Sequence, residues 1–193
     1  GRISCLAIKN NAVVNKGDTL IKIAKESLLT EKQTQNTLSG DTQMLLKDMV
    51  NLLANRVSYL KTAIAKEESY QYQARKNELQ SKIAQTQINF NRSKILFDKG
   101  IIASAEHEKQ LYELRFAQQA LQSFVSQQKS TWENQKRDLE ERVKNIDGSI
   151  SKIKVEENNY VVLAPISGTI ESFSGLQVGS FLNASQPIRS EER

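Results

Sequence analysis

Side chains capable of covalent or metal chemistry are scarce in this sequence of 193 residues. It holds one cysteine, Cys5, and one histidine, His107. A single thiol excludes an intrachain disulfide framework and any cysteine-cluster zinc site. A single imidazole excludes a His-rich metal centre, and no nucleophile is evident for it to activate. No Gly-rich phosphate-binding loop is present. The carboxylates fall along segments that read as solvated helix faces. The chain therefore reads as a non-enzyme, with no cofactor and no metal. Cys5 is expected to pack as a small hydrophobe in a strand. His107 is expected to be solvated in the first turn of a helix, where its charge change near neutrality could make docking pH-sensitive. Trp132 reads as core. Asn183-Ala184-Ser185 matches a glycosylation triplet, a pattern common by chance.

The chemistry that remains is recognition. Leu96, Phe97, Ile101 and Ile102 form an apolar cluster around Gly100, flanked by Arg92, Asp98 and Lys99 and followed by Ala103 and Ser104. At the end of a helical hairpin such a cluster has little core of its own to cover it. An exposed apolar patch with a charged rim suits docking to another helical end. The alternative is that these residues only close the hairpin against each other.

Composition constrains what positions that cluster. Hydrophobic residues make up 38 % of the chain and aromatics 6 %, against roughly 45–50 % apolar in ordinary globular domains. Both prolines, Pro165 and Pro187, lie near the C-terminal end. That pattern favours long helices with a narrow apolar stripe. The net charge of +5 comes from 27 basic residues interspersed with 22 acidic ones. A nucleic-acid binder would show a clustered basic stripe or interleaved aromatics, so no nucleic acid is expected. No apolar run approaches the ~18–20 residues that span a bilayer. No signal-peptide pattern is present. A chain starting Gly1-Arg2-Ile3 is expected to be trimmed from a longer protein, with any membrane anchor outside it.

The chain divides into four segments. Residues 1–25 read as short strands, with a turn at Lys16-Gly17-Asp18, where Gly accepts positive φ and Asp can bond its own backbone. Residues 26–42 read as a polar connector ending at the Ser39-Gly40-Asp41 break, with Asp41 or Thr42 as N-cap of the first long helix. Residues 43–157 read as two helical stretches joined by a tip near 98–104. In the first, apolar residues recur at 3–4 spacing through Leu46, Met49 or Val50, Leu53, Val57, Leu60 and Ile64. The register then shifts through Tyr72, Leu79, Ile83 and Phe90 to Ile95 and Leu96, as at a heptad stutter. Gly100 takes the C′ position. Ser104 is expected as N-cap of the second stretch, whose seam runs from Leu111 to Ile153 and is interrupted by Gln118, Gln128 and Gln135. Two stretches of equal length and a connection of about four residues require an antiparallel hairpin, about 80 Å long at 1.5 Å per residue. Residues 158–193 return to short strands, punctuated by Pro165, Gly168, Gly175, Gly179 and Pro187. The expected class is α+β: a long antiparallel α-helical coiled-coil hairpin inserted between two halves of a small β-domain. Gly168 is expected in a turn conformation that other residues resist.

The flanking halves resemble a biotinyl/lipoyl-like domain. Asn11–Ile23 is similar to its first half, with the Lys-Gly-Asp turn before a short strand. Ala164-Pro165-Ile166-Ser167-Gly168-Thr169-Ile170 resembles the opening of its second half, and Val178-Gly179 through Gln186-Pro187-Ile188 its closing hairpin, with Ser185 where Gly is common. Lys25 lies near where a true lipoyl domain carries its modified lysine, but the usual hairpin tip is absent and no modification is expected. Such halves around a hairpin resemble the membrane fusion proteins, periplasmic adaptors of the HlyD type. In adaptors that dock to TolC-like channels the tip resembles Arg-x3-Leu-x6-Ser. Arg92 and Leu96 match, the Ser position falls on Ala103, and Ser104 is one residue later. The resemblance implies an adaptor anchored to the inner membrane and facing the periplasm. It would bridge an inner-membrane transporter, ABC type favoured, to a TolC-like outer-membrane channel and self-associate into a ring. Its role would be type I protein or peptide secretion, with drug efflux the competing choice. A structural or RNA-contacting coiled-coil arm and an acyl-carrier domain are the readings from other classes.

Overall fold

In the computed structural model, residues 1–170 and 176–182 are described. The order is β1 (Ile3–Leu6), β2 (Val13–Val14), β3 (Thr19–Ile23), α1 (Glu26–Leu53), α2 (Ala63–Asp98), α3 (Ser104–Glu157), β4 (Val161–Leu163) and β5 (Gly168–Thr169). Single 3-10 turns at Val57–Tyr59 and Asn158–Tyr160 precede α2 and β4. The chain divides into two compact units, one made of Gly1–Ser39 and the residues from Asn145 onward, the other of Gly40–Lys144.

The first unit is built from both ends of the chain. β3 is central in a three-stranded antiparallel sheet, with β1 on one side and β4 on the other. β2 pairs with β5. Each small sheet therefore needs a strand from before the helices and one from after them. Ile3, Ile8 and Ile21 form the buried core, with Leu6, Leu20 and Val162 packed against it. Gly17 adopts φ 92°. Beside it the Asn15 N–H donates to the Asp18 carboxylate at 2.8 Å. Gly17 N–H donates to Ala164 O, and Ala164 N–H to Asp18 O, both at 2.8 Å, so this turn also joins the two chain ends. Gly179 adopts φ 96° and donates its N–H to Ile3 O at 2.9 Å.

Two expectations fail in the strands of this unit. Cys5 is exposed, because a register irregularity between Ile3 and Cys5 shifts the alternation and turns the thiol to the solvent side. Gly168 lies in β5, paired with Val14, with no positive φ, and a Cβ there would meet nothing within 4 Å. Its backbone is extended and open to other residues. Pro165 follows Ala164 in the exposed loop before β5. Residues 183–188, with the closing hairpin and the glycosylation triplet, and Gly175 lie outside the described residues.

The expected connector over 26–42 is helical, and α1 starts at Glu26. Its polar composition hid three devices. Leu28 is buried. The hydroxyls of Thr30, Thr34 and Thr37 donate back to carbonyls four residues earlier. Glu157 on α3 accepts from Lys25 at 3.3 Å and Lys32 at 2.5 Å. Hydrogen bonds from Lys32 and Lys25 hold the Glu157 carboxyl below its ordinary range, outweighing its partial burial. Gly40 sits within the helix, although Gly costs about 1 kcal/mol against Ala there. Ser39 and Thr42 on either side are buried.

The real break comes later, at 54–62, where the apolar periodicity predicts an uninterrupted helix. α1 ends on Asn55, in the left-handed region at φ 56°. Asn55 N–H donates to Leu52 O at 3.0 Å and Arg56 N–H to Asn51 O at 2.8 Å, the paired bonds of a Schellman end. α2 then starts from Thr62, whose hydroxyl accepts from Ala65 N–H at 3.3 Å. Asp48 joins the two helices. It is 1 % exposed, and its carboxylate accepts from Lys61 N–H at 3.0 Å, Thr62 N–H at 2.7 Å and the Thr62 hydroxyl at 2.6 Å. Burial pushes this carboxyl up; the Thr62 and Lys61 hydrogen bonds and the Lys66 charge together hold it below its ordinary value. Met49, Leu52, Leu60, Ala65 and Trp132 form the core beside it. Val57 on the break and Ile64 at the start of α2, both expected in the seam, are exposed.

Candidate functional site

α2 and α3 run antiparallel through the second unit. Their contacts pair falling α2 numbers with rising α3 numbers. Phe97 and Phe90 meet His107, Tyr72 stacks on Phe124 at 5.6 Å, and the Trp132 indole N–H donates to Glu68 at 3.1 Å. The seam of α2 is narrow because its fully buried residues are Ala65, Ser69, Thr86 and Ser93. The Thr86 and Ser93 hydroxyls donate to carbonyls of their own helix, which satisfies their protons inside the seam.

The reversal at the end of this pair is stereochemically closed. Gly100 adopts φ 68°. Its N–H donates to Phe97 O at 2.8 Å and Ile101 N–H donates to Leu96 O at 2.9 Å, a second Schellman end with Gly at C′. α3 begins at Ser104. The carbonyl of Ala103, one residue earlier than the expected cap, accepts from Glu106 and His107 N–H.

The proposed docking residues split into two groups here. Leu96 and Ile102 are half-buried and close the reversal. Phe97 is 40 % exposed and Ile101 64 %, and Ile95, expected in the seam, is 56 % exposed. Arg92, Lys99, Gly100, Ala103 and Ser104 are exposed around them. Arg92 makes no ion pair among the described residues. The result is a small apolar surface with a charged rim, presented by a fixed backbone.

His107 is the residue that sequence reasoning misplaced. It is half-buried, not solvated. Its ring stacks on Phe97 at 5.2 Å and 8°, and on Phe90 at 5.2 Å and 26°. The Ser93 hydroxyl gives its proton to Phe90 O at 2.8 Å. It is thereby left to accept from His107 Nδ1–H at 3.1 Å. The signal was available: Phe90, Ser93 and Phe97 share one helical face at 3–4 spacing, and an antiparallel return after Gly100 brings position 107 opposite them.

No family model matches the chain, and no curated protein matches it. Solved structures do match, two adaptors among them. The periplasmic adaptor protein EmrA is 18 % identical with a TM-score of 0.53, the match covering 97 % of this chain and 67 % of that one. The soluble domain of LipC, a membrane fusion protein of a type I secretion system, is 10 % identical with a TM-score of 0.64, covering 94 % of this chain and 92 % of that one. The chain has the fold of these adaptors. The likeness spans nearly all of it, so the adaptor fold includes both the split β-unit and the antiparallel helices. No helix among the described residues is long and apolar enough to cross a membrane.

Proposed function

We propose that this chain is the periplasmic adaptor part of a tripartite export system, with its split β-unit corresponding to the two lipoyl-like halves. The full protein bridges an inner-membrane transporter to a TolC-like outer-membrane channel, is anchored in the inner membrane, and assembles as a ring. It binds and aligns partners and catalyses nothing. The observation that carries this reading is the α2–α3 reversal. A Schellman turn fixes Gly100, and Phe97 and Ile101 stand exposed within a charged rim. Such exposed apolar anchors at the end of a rigid element are the pattern of a docking hot spot. Type I secretion with an ABC transporter is proposed over drug efflux; LipC, whose fold this chain shares, is a membrane fusion protein of a type I secretion system.

The test replaces Phe97 and Ile101 together by Asp and measures export in cells lacking the native copy. Export is expected to fall at least about tenfold, the loss of one anchor's binding energy. Helicity should stay unchanged and melting should fall only slightly, because Ile101 is exposed and Phe97 loses only its stack on His107. Normal export would reject the tip as the docking site. Unfolding would reassign both residues to hairpin closure. The half-buried Leu96 and Ile102 serve as the structural controls.

A further inference from the structure

The break between α1 and α2 forms a cavity of about 360 Å³, within the range of small-ligand sites. Its lining includes Lys47, Arg56 and Lys61 together with Tyr59, Met44 and Asn51. Three cations lining one cavity repel each other unless an anion joins them. The local acid, Asp48, lines the same cavity and offsets only part of that charge, leaving an excess of positive charge. Both oxygens of Asp48 are engaged by the 61–62 backbone and the Thr62 hydroxyl. None of the three cations makes an ion pair among the described residues. The backbone carrying Arg56 and Lys61 is held in place by the Asn55 turn on one side and the Asp48 bonds on the other. Tyr59 is 66 % exposed, and Met44 is exposed beside it. An aromatic ring and a flexible thioether suit an apolar side chain, and the Asn51 amide suits a peptide main chain.

From this lining we infer that the cavity is a binding site for an acidic peptide segment, with carboxylates on Lys47, Arg56 and Lys61 and an adjacent apolar side chain on Met44 and Tyr59. The site is separate from the tip and does not depend on the adaptor reading. A single-stranded nucleic acid is the poorer fit, since it would need successive aromatic platforms and the cavity offers Tyr59 alone.

The experiment titrates the full chain into a fluorescein-labelled peptide of alternating glutamate and leucine, read by anisotropy. Binding is expected at low ionic strength and should weaken with salt. Arg56→Gln and Lys61→Gln should each lower affinity about fivefold, the upper end for an exposed ion pair. All three cations are exposed, so these variants should fold, which circular dichroism checks. Lys82→Gln or Lys94→Gln, the same single charge removed from α2, should change nothing. Equal loss in that control would reduce the effect to the net charge of +5 and overturn the site. Equal affinity for a glutamate–serine peptide, or tighter binding of a single-stranded oligonucleotide of equal charge, would overturn the assigned ligand. Absence of binding by the unsubstituted chain would overturn both.

Discussion

The helix ends at Asn55 and Gly100 close with the same pair of backbone hydrogen bonds and lead to different surroundings. After Asn55 the chain is held by a buried carboxylate that satisfies donors on Lys61 and Thr62. Next to it lies the aliphatic and aromatic core of Met49, Leu52, Leu60 and Trp132. After Gly100 no buried charge is involved. The reversal rests on its own hydrogen bonds and on the stack of His107 with Phe90 and Phe97. Backbone geometry alone thus ends a helix, and side-chain surroundings decide whether the end becomes a structural joint or a presented surface. At 55 the polar group is buried and fully partnered. At 100 the apolar groups are left exposed.

The sharpest way to break this contrast is Asp48→Ala. It leaves the Lys61 and Thr62 donors unpaired inside the protein and should cost about 3 kcal/mol, the range for hydrogen bonds to a buried charge. Chemical denaturation would measure it. A loss below about 1 kcal/mol, the net worth of one ordinary hydrogen bond, would mean that the break is held by its core alone.

Acid should reveal the same group. The folded-state pKa of Asp48 lies below its ordinary value of 3.8, so the unfolded chain takes up the proton first as pH falls. Its stabilisation is complete above about pH 4 and drains away below that, as pH approaches the folded value. Melting temperatures from about pH 7 to about pH 3 should fall less in Asp48→Asn than in the unsubstituted chain. Glu157 shifts in the same direction and sets the residual slope in the variant. Parallel curves would sink the assignment to Asp48.

His107→Ala should be milder, about 1 kcal/mol, because it removes stacking contacts and one hydrogen bond at a half-exposed site. It should also broaden the NMR signals of Phe97 while leaving those of Trp132 unchanged. Perturbation spreading to Trp132 would show that the tip and the joint are not independent. Smallest of all, Gly168→Val should change stability by less than about 0.5 kcal/mol, since β5 is extended and open there. A large loss would restore the turn expectation that the fold overturned.

Which of these features could be read in advance depended on the range of their causes. Gly100 was legible because a glycine after a long periodic stretch has one local use. Gly17-Asp18 was legible because Gly accepts positive φ and Asp can bond its own backbone, which together mark a turn. Asn55 was not, because Asn occurs widely and its left-handed role shows only once the helix has ended. Asp48 was invisible because its meaning comes from donors at 61 and 62. Cys5 was misplaced by a single irregularity in β1, which reverses every face downstream of it.

The sequence by itself determined two long helical stretches, the reversal at Gly100, and β-forming ends that have to meet because the helices between them fold back. Each follows from local preference summed over many residues or from chain geometry. Tertiary structure alone decided that the polar segment 26–42 is helical, that the helix breaks at 54–62, and that His107 packs against phenyl rings. These outcomes balance about 1 kcal/mol of local preference against contacts made by residues far along the chain. Where the local preference is that small, the distant contact wins.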